Sequence, residues 1–99
     1  MLDVIRQRRS VRTYLNKDVD KEKLHEILKA AMFSPTARGT RAWEFIVVRD
    51  NETKARLSKA TPYSAFAKDA PVVIVICHDA GKSKRFKEDS SLCAENIYL

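Results

Sequence analysis

The sequence is short of the residues that mark several classes of protein. Its 99 residues include only two glycines, three prolines and two cysteines. So little glycine and proline excludes a collagen-like segment or a flexible linker, and an apolar content of 44% excludes a disordered chain. We therefore expect residues 1–99 to fold as one globular domain.

Long hydrophobic runs and cysteine motifs are also absent. The longest apolar run, residues 72–77, is far shorter than the roughly 18 residues that a membrane-spanning helix needs. No charged segment followed by an apolar one opens the chain as a secretion leader would. Cys77 and Cys93 have neither CxxC spacing nor interleaved histidines, which argues against a disulfide framework or a zinc site. These absences predict a cytoplasmic protein with no membrane partner and no bound metal.

Positive charge is in excess. Nineteen lysines and arginines against thirteen acidic residues give a net charge of +6. This balance favours an anionic partner, and it leaves nucleic acid, an acidic lipid and a phosphorylated small molecule open beside an ordinary basic surface. A small basic nucleic-acid-binding module is therefore an alternative function, motivated by the basic runs at residues 6–12 and 82–87.

Hydrophobic periodicity predicts helices alternating with two strands. The helix that begins after Asp20 is the best supported, since its apolar residues from Leu24 to Ala31 follow the i, i+3, i+4, i+7 spacing of one buried stripe. The six consecutive apolar residues 72–77 indicate a central strand covered on both faces. In chain order we expect a helix over 2–9, a helix from 21 to 33 or 34, a strand over 43–49, a helix over 52–60, a strand over 72–77 and a helix over 89–99.

The last predicted helix stops without the usual C-terminal signals. No glycine cap, basic last turn or polar tail accompanies Leu99, and the apolar face, at Leu92, Cys93, Asn96 and Leu99, is still running. Two strands also make a thin sheet for a strand covered on both faces. We therefore expect either further chain beyond Leu99 or a partner subunit.

An arginine-rich run is the first candidate site. Within five residues it places three guanidinium groups and one hydroxyl, at Arg8, Arg9, Ser10 and Arg12. The planar fork of arginine matches phosphate oxygens, and serine adds a short-range donor to the same group. The run is a candidate phosphate-binding site, and a solvated basic turn, which also suits the C-terminal end of a helix, stays open beside it.

The loop from Ser34 to Trp43 is the second candidate site. Pro35 and Gly39 punctuate it, and it connects a predicted helix to a predicted strand. Such a loop can present backbone N–H groups to a planar heteroaromatic ligand. The alternative is an ordinary connection in which Trp43 anchors the core.

Six segments in a characteristic order and spacing carry a resemblance to one family: residues 8–12, 30–31, 34–37, 43–48, 69–71 and 94–99. The chain resembles the N-terminal half of an FMN-dependent nitroreductase. The resemblance implies an α+β fold, a three-layer α/β/α nitroreductase-like sheet that is incomplete in this chain. It also implies a homodimer with FMN at the subunit interface. The implied activity is reduction of nitroaromatics, quinones or related acceptors with NADH or NADPH as electron donor, in a ping-pong cycle of hydride transfer through the flavin.

The resemblance assigns two groups of residues to FMN. Those that would hold the phosphate and ribityl chain are Arg8, Arg9, Ser10 and Arg12. Those that would contact FMN from the partner subunit or line its ring are Pro35, Thr36, Ala37 and Gly39. An inactive truncated flavoprotein that only dimerises is a further alternative.

The chain departs from the usual family pattern at three positions of the loop. Family members usually have asparagine, glutamine and proline where this chain has Gly39, Arg41 and Ala42. Gly39 supplies no side-chain donor, so its contact with FMN would run through the backbone. Arg41 near a flavin ring would favour an anionic substrate.

No catalytic acid, base or nucleophile is expected, because in such enzymes the cofactor carries the chemistry. His25 and His78 are expected at the surface rather than as ligands. Cys77 and Cys93 are expected as small core residues. Asn96, on an otherwise apolar helix face, is expected to be a core amide with hydrogen-bond partners.

Overall fold

Four α-helices, two strands and two short 3-10 turns follow one another in the computed structural model, which describes residues 1–99. This mixture confirms the expected α+β class. None of the helices combines the length and hydrophobicity that crossing a membrane requires. The elements are α1 (Asp3–Gln7), α2 (Lys21–Met32), a 3-10 turn (Ala37–Gly39), β1 (Trp43–Val48), α3 (Asn51–Ser58), a 3-10 turn (Ala65–Asp69), β2 (Val73–His78) and α4 (Phe86–Tyr98).

The two strands form one two-stranded sheet. The N–H of Asp79, just after β2, donates to the carbonyl of Ala42, just before β1, at 2.8 Å. The end of one strand therefore lies beside the start of the other, and the strands run antiparallel. The sequence predicts full cover for β2, but all six of its residues are only half-buried. Full burial of a strand needs neighbouring strands at its edges as well as layers packed on its faces. In this sheet β2 has only β1 beside it, so one of its edges stays open.

The chain divides into two compact units. The first unit consists of Met1–Arg9, Asp20–Phe45 and Ile76–Leu99. The second consists of Ser10–Val19 and Ile46–Val75. The arginine-rich run is thus shared between them, with Arg8 and Arg9 in the first unit and Ser10 and Arg12 in the second.

In the first unit, α2 packs against α4. The predicted stripe on α2 is confirmed, since Leu24 and Ala31 are buried. From α4, Cys93 is fully buried, as predicted, and its removal from water raises the pKa of the thiol. The side-chain amide of Asn96 donates to the carbonyl of Ala30 at 2.8 Å. This bond confirms the predicted satisfied amide and joins the two helices.

Helix α4 begins three residues earlier than predicted and presents a different face to the core. Leu92 and Leu99, predicted on the buried face, are exposed, whereas Asp89 is buried. Asp89 and Cys93 are four residues apart and so lie on one side of the helix. A buried carboxylate is tolerated only with a hydrogen-bond donor, and Asp89 has one in this unit.

Helix α1 is shorter than the predicted span of residues 2–9. The backbone of Arg8 leaves the helical region with ψ 132°, so the helix ends at Gln7. Arg8 and Arg9, which the predicted helix includes, therefore lie beyond its end, and no residue of α1 is buried. The hydrophobic pattern overestimates the length of this helix. A helix of one or two turns makes few internal hydrogen bonds, so its ends are weakly held and the pattern alone does not fix them.

In the second unit, α3 packs against the 3-10 turn Ala65–Asp69. The Asp50 carboxylate caps α3 by accepting from the N–H of Thr53 at 2.7 Å. Hydrogen bonds from the hydroxyl and the amide of Thr53 lower the pKa of Asp50. On the same helix, Lys54 is only 5% exposed, and its Nζ donates to the carbonyl of Ala70 at 2.7 Å. A buried ammonium group thus ties α3 to the segment that precedes β2.

Replacing Lys54 by alanine is expected to destabilise the protein by about 1–3 kcal/mol, because the buried Ala70 carbonyl loses its donor. Urea unfolding of the purified chain measures this difference. The matched control is Lys59→Ala, which removes the same charge from an exposed position just after α3 and should change stability by less than about 0.5 kcal/mol. Equal effects of the two substitutions would contradict the assigned role of the buried bond.

Candidate functional site

The loop between α2 and β1 is closed by hydrogen bonds centred on Thr36. The N–H of Gly39 donates to the Thr36 carbonyl at 3.0 Å, and the N–H of Arg41 donates to the Thr36 hydroxyl at 3.1 Å. The N–H of Thr40 donates to the carbonyl of Ala37 at 3.2 Å. Both polar groups of Thr36 thus hold the residues that follow it, and they give the loop a defined shape.

The sequence indicates that this loop can present backbone N–H groups to a ligand, and the structure shows four of them engaged within the chain instead. The N–H groups of Ala37, Gly39, Thr40 and Arg41 all donate within the chain. The bond of the Ala37 N–H in particular is hidden from the local sequence, because its acceptor is a side chain 52 positions away. A ligand at the loop would instead meet its carbonyl oxygens and side chains.

Three residues of the loop have left-handed backbone conformations. Their φ angles are 56° at Arg38, 63° at Gly39 and 49° at Arg41. Glycine adopts this region freely, whereas arginine does so at a cost in strain. No atom lies within 4 Å of the position that a Cβ on Gly39 would take, so this part of the loop is open. Asparagine, the usual family residue here, is also among the few that tolerate this conformation.

An open groove of about 660 Å³ lies against the loop. Pro35, Thr36 and Gly39, three of the four residues assigned to the flavin ring, line it together with Arg41 and Trp43. Ala37, the fourth, lines a different groove. The structure therefore brings most of the second candidate site together with the candidate substrate residue on one surface.

Asp89 of α4 holds the first residue of the 3-10 turn, a role that sequence reasoning missed. Its Oδ1 accepts from the N–H of Ala37 at 3.0 Å. The side chain is only 2% exposed, and Oδ2 has no hydrogen-bond partner. The sequence contains one signal for this role, the i, i+4, i+7 spacing of Asp89, Cys93 and Asn96. This spacing places an acidic residue on the same face of α4 as the buried cysteine.

Further polar atoms beside the loop are buried without partners. They are Thr40 Oγ1, Trp43 Nε1 and both ring nitrogens of His78. The prediction of a surface position is wrong for His78, whose ring packs on Phe86 with centroids 6.1 Å apart. His25 is exposed, as predicted. The loop and the adjoining strand ends thus contain an unusual share of polar atoms withdrawn from water.

In the first unit, the arginines of the basic run are only partly engaged. Arg8 is half-buried, and its Nε lies 4.0 Å from a carboxylate oxygen of Glu95. The Nη1 of Arg9 donates to the carbonyls of Arg6 and Arg8 at 2.9 and 2.7 Å. Both guanidinium groups therefore retain N–H donors that have no protein partner.

In the second unit, Arg12 lies over an aromatic ring. Its guanidinium carbon is 5.9 Å from the centroid of Phe66, within the range of a cation–π interaction. The ring of Phe66 also lies 6.3 Å from that of Tyr14. Ser10 is exposed and makes no side-chain hydrogen bond. Phe66 is therefore a neighbour of the Arg12 guanidinium group that the sequence pattern does not reveal.

Comparison with known proteins identifies related sequences. The profile of the Nitroreductase family matches residues 5–62. A protein of Methanothermobacter thermautotrophicus is 40% identical over 102 residues, which cover 100% of this chain and 53% of that protein. An NAD(P)H FMN reductase of Bacillus subtilis is 30% identical over 81 residues, which cover 82% of this chain and 32% of that protein.

Solved structures match the fold. An FMN-dependent nitroreductase from Clostridium difficile superimposes with a TM-score of 0.92 and 43% identity, over 98% of this chain and 57% of that one. The nitroreductase-like fold that the resemblance implies is thereby confirmed. The chain spans between about half and three fifths of the length of two curated archaeal relatives, with 53% and 59% of those proteins.

Proposed function

The chain belongs to the nitroreductase family, and from this membership we propose that it forms the FMN-binding part of an NAD(P)H-dependent oxidoreductase. The observation that carries the proposal is the similarity to an FMN-dependent nitroreductase over 98% of the chain. When bound, FMN supplies the hydride chemistry, from NADH or NADPH to a nitroaromatic, a quinone or a related acceptor. The residues of this chain bind, orient and select.

The residues present fit FMN at both of its ends. The open space at Gly39 leaves room for a planar ring against the backbone, and the free guanidinium donors suit a phosphate dianion. On these grounds we assign the phosphate and ribityl chain to Arg8, Arg9, Ser10 and Arg12. We assign contacts with the ring, or with FMN bound by the partner subunit, to Pro35, Thr36, Ala37 and Gly39.

Arg41 is proposed to select the acceptor. Its backbone is held by the bond to the Thr36 hydroxyl, and the residue lines the groove that also contains Gly39. Arginine is charged at every physiological pH, so it attracts an anionic substrate and steers it toward the groove.

We further propose that the protein is a cytoplasmic homodimer with FMN at the subunit interface. Large apolar side chains that a monomer exposes support an interface. Phe33, which lines the groove, is 86% exposed, and Leu15 and Tyr63 are similarly open. Exposed side chains of this size are typical of surfaces that another protein segment covers.

The proposed function is tested by visible absorption of the purified protein, before and after FMN is added and the excess removed. A retained flavin band, together with flavin-dependent oxidation of NADH or NADPH, is the expected result. A protein that retains no FMN and oxidises neither nucleotide would contradict the proposal.

Arg12→Ala is expected to weaken FMN binding about tenfold or more while leaving riboflavin binding unchanged, because riboflavin lacks the phosphate that the guanidinium would hold. Titration of the flavin-free protein with each ligand measures the two affinities. Arg56→Ala is the matched control, since it removes an exposed arginine from α3 in the same unit. Equal losses for FMN and riboflavin would argue against the phosphate assignment.

Arg41→Ala is expected to lower kcat/KM for an anionic acceptor about tenfold relative to a neutral acceptor of similar shape, since one favourable charge interaction is lost. Steady-state assays with a nitrobenzoate and a nitrobenzamide measure the ratio. Arg38→Ala is the control, because Arg38 is also left-handed but does not line the groove of Arg41. An unchanged ratio in the Arg41 variant would refute the selective role.

A further inference from the structure

We infer that Asp89 is a positioning residue, whose buried carboxylate holds the loop of residues 36–41 in the shape that binds the flavin ring. The inference rests on the proposed function for the identity of the ligand. The bond between Asp89 and the loop joins two groups of this chain within the first unit and involves no ligand, so it can be tested without flavin.

The bond from Ala37 to Asp89 satisfies a donor that the loop itself leaves free. Ala37 is the first residue of a 3-10 turn, and the first N–H groups of a helical turn have no acceptor within it. The Asp89 Oδ1, 3.0 Å away, supplies that acceptor from a helix 52 positions further along the chain. The contact therefore sets the distance between the loop and α4.

The burial of Asp89 indicates that this bond matters to the structure. A carboxylate with 2% exposure has lost nearly all of its hydration, and its Oδ2 receives no hydrogen bond in return. A bond from an N–H to a charged acceptor is stronger than one to a neutral acceptor, which partly offsets that loss. The one donor that reaches the carboxylate belongs to the loop.

The rest of the loop depends on the position of Ala37. Its carbonyl accepts from Thr40, and its neighbour Thr36 accepts from Gly39 and Arg41. On the other side, α4 is fixed to α2 by the bond from Asn96 to Ala30. Asp89 thus connects a fixed helix to the residues that line the groove.

The favourable interaction of an acidic residue with the dipole of α4 does not explain why Asp89 is buried against the loop. Glu88 shares that turn, and acidic residues there suit the helix dipole. Glu88 is exposed and makes no hydrogen bond, so Glu88→Ala is a control that removes a carboxylate from the same turn without touching the loop.

Two measurements on the full chain test the inference with Asp89→Ala, Asp89→Asn and Glu88→Ala. The first is hydrogen exchange at the Ala37 amide in flavin-free protein, which we expect to be about tenfold faster in Asp89→Ala. The second is the affinity for FMN and for riboflavin, which should fall by the same factor for both because the loop faces the ring and not the phosphate. Asparagine keeps an acceptor oxygen, so Asp89→Asn should restore both properties, and Glu88→Ala should change neither.

The inference is overturned if Ala37 exchanges at the original rate in Asp89→Ala, or if Glu88→Ala has the same effect. Loss of FMN affinity alone, with riboflavin binding intact, would also overturn it. If Asp89→Ala does not fold, Asp89→Leu replaces it, since leucine fills the buried position but has no acceptor oxygen: faster exchange at Ala37 then supports the inference, and an unchanged rate overturns it. If the original protein binds no flavin, the proposed function fails while the exchange measurement still decides the role of Asp89.

Discussion

The packing of α2 against α4 is the constraint on which the candidate site depends. The loop that carries the site leaves the end of α2, and its 3-10 turn is hydrogen-bonded to Asp89 of α4. Buried Leu24 and Cys93 hold these helices by removing apolar surface from water, and the bond from Asn96 to Ala30 sets their register. Any change that separates the two helices would therefore alter the loop as well.

The loop combines internal hydrogen bonds with left-handed backbone at Arg38, Gly39 and Arg41. Strained residues persist only where their surroundings determine the conformation, and here the surroundings are Thr36 and Asp89. A loop held in this way would lose little conformational entropy on binding the planar ligand proposed for it. Family members usually have asparagine at the position of Gly39. Because these internal bonds hold the backbone here, the loop keeps its conformation without the side-chain donor that asparagine would supply.

Local pattern predicts most of the elements and fails where distant residues decide. The spacing from Leu24 to Ala31 predicts α2 to within a residue or two, and the β-branched runs predict both strands equally well. The pattern places Leu92 on the buried face of α4, whereas the structure buries Asp89. The reason is that a hydrophobicity pattern counts a carboxylate as exposed, and only the N–H of Ala37 stabilises it in its buried position.

The amino-acid sequence by itself determined the family, through a resemblance carried by six segments along the chain, and the α+β class, through residue types at short spacings. Tertiary structure alone decided which N–H groups of the loop are engaged within the chain, that Arg41 shares a groove with Gly39, and that Arg12 lies over Phe66. Each of these depends on contacts that the folded backbone creates. Such contacts form only when the backbone brings the residues together, so no local spacing predicts them.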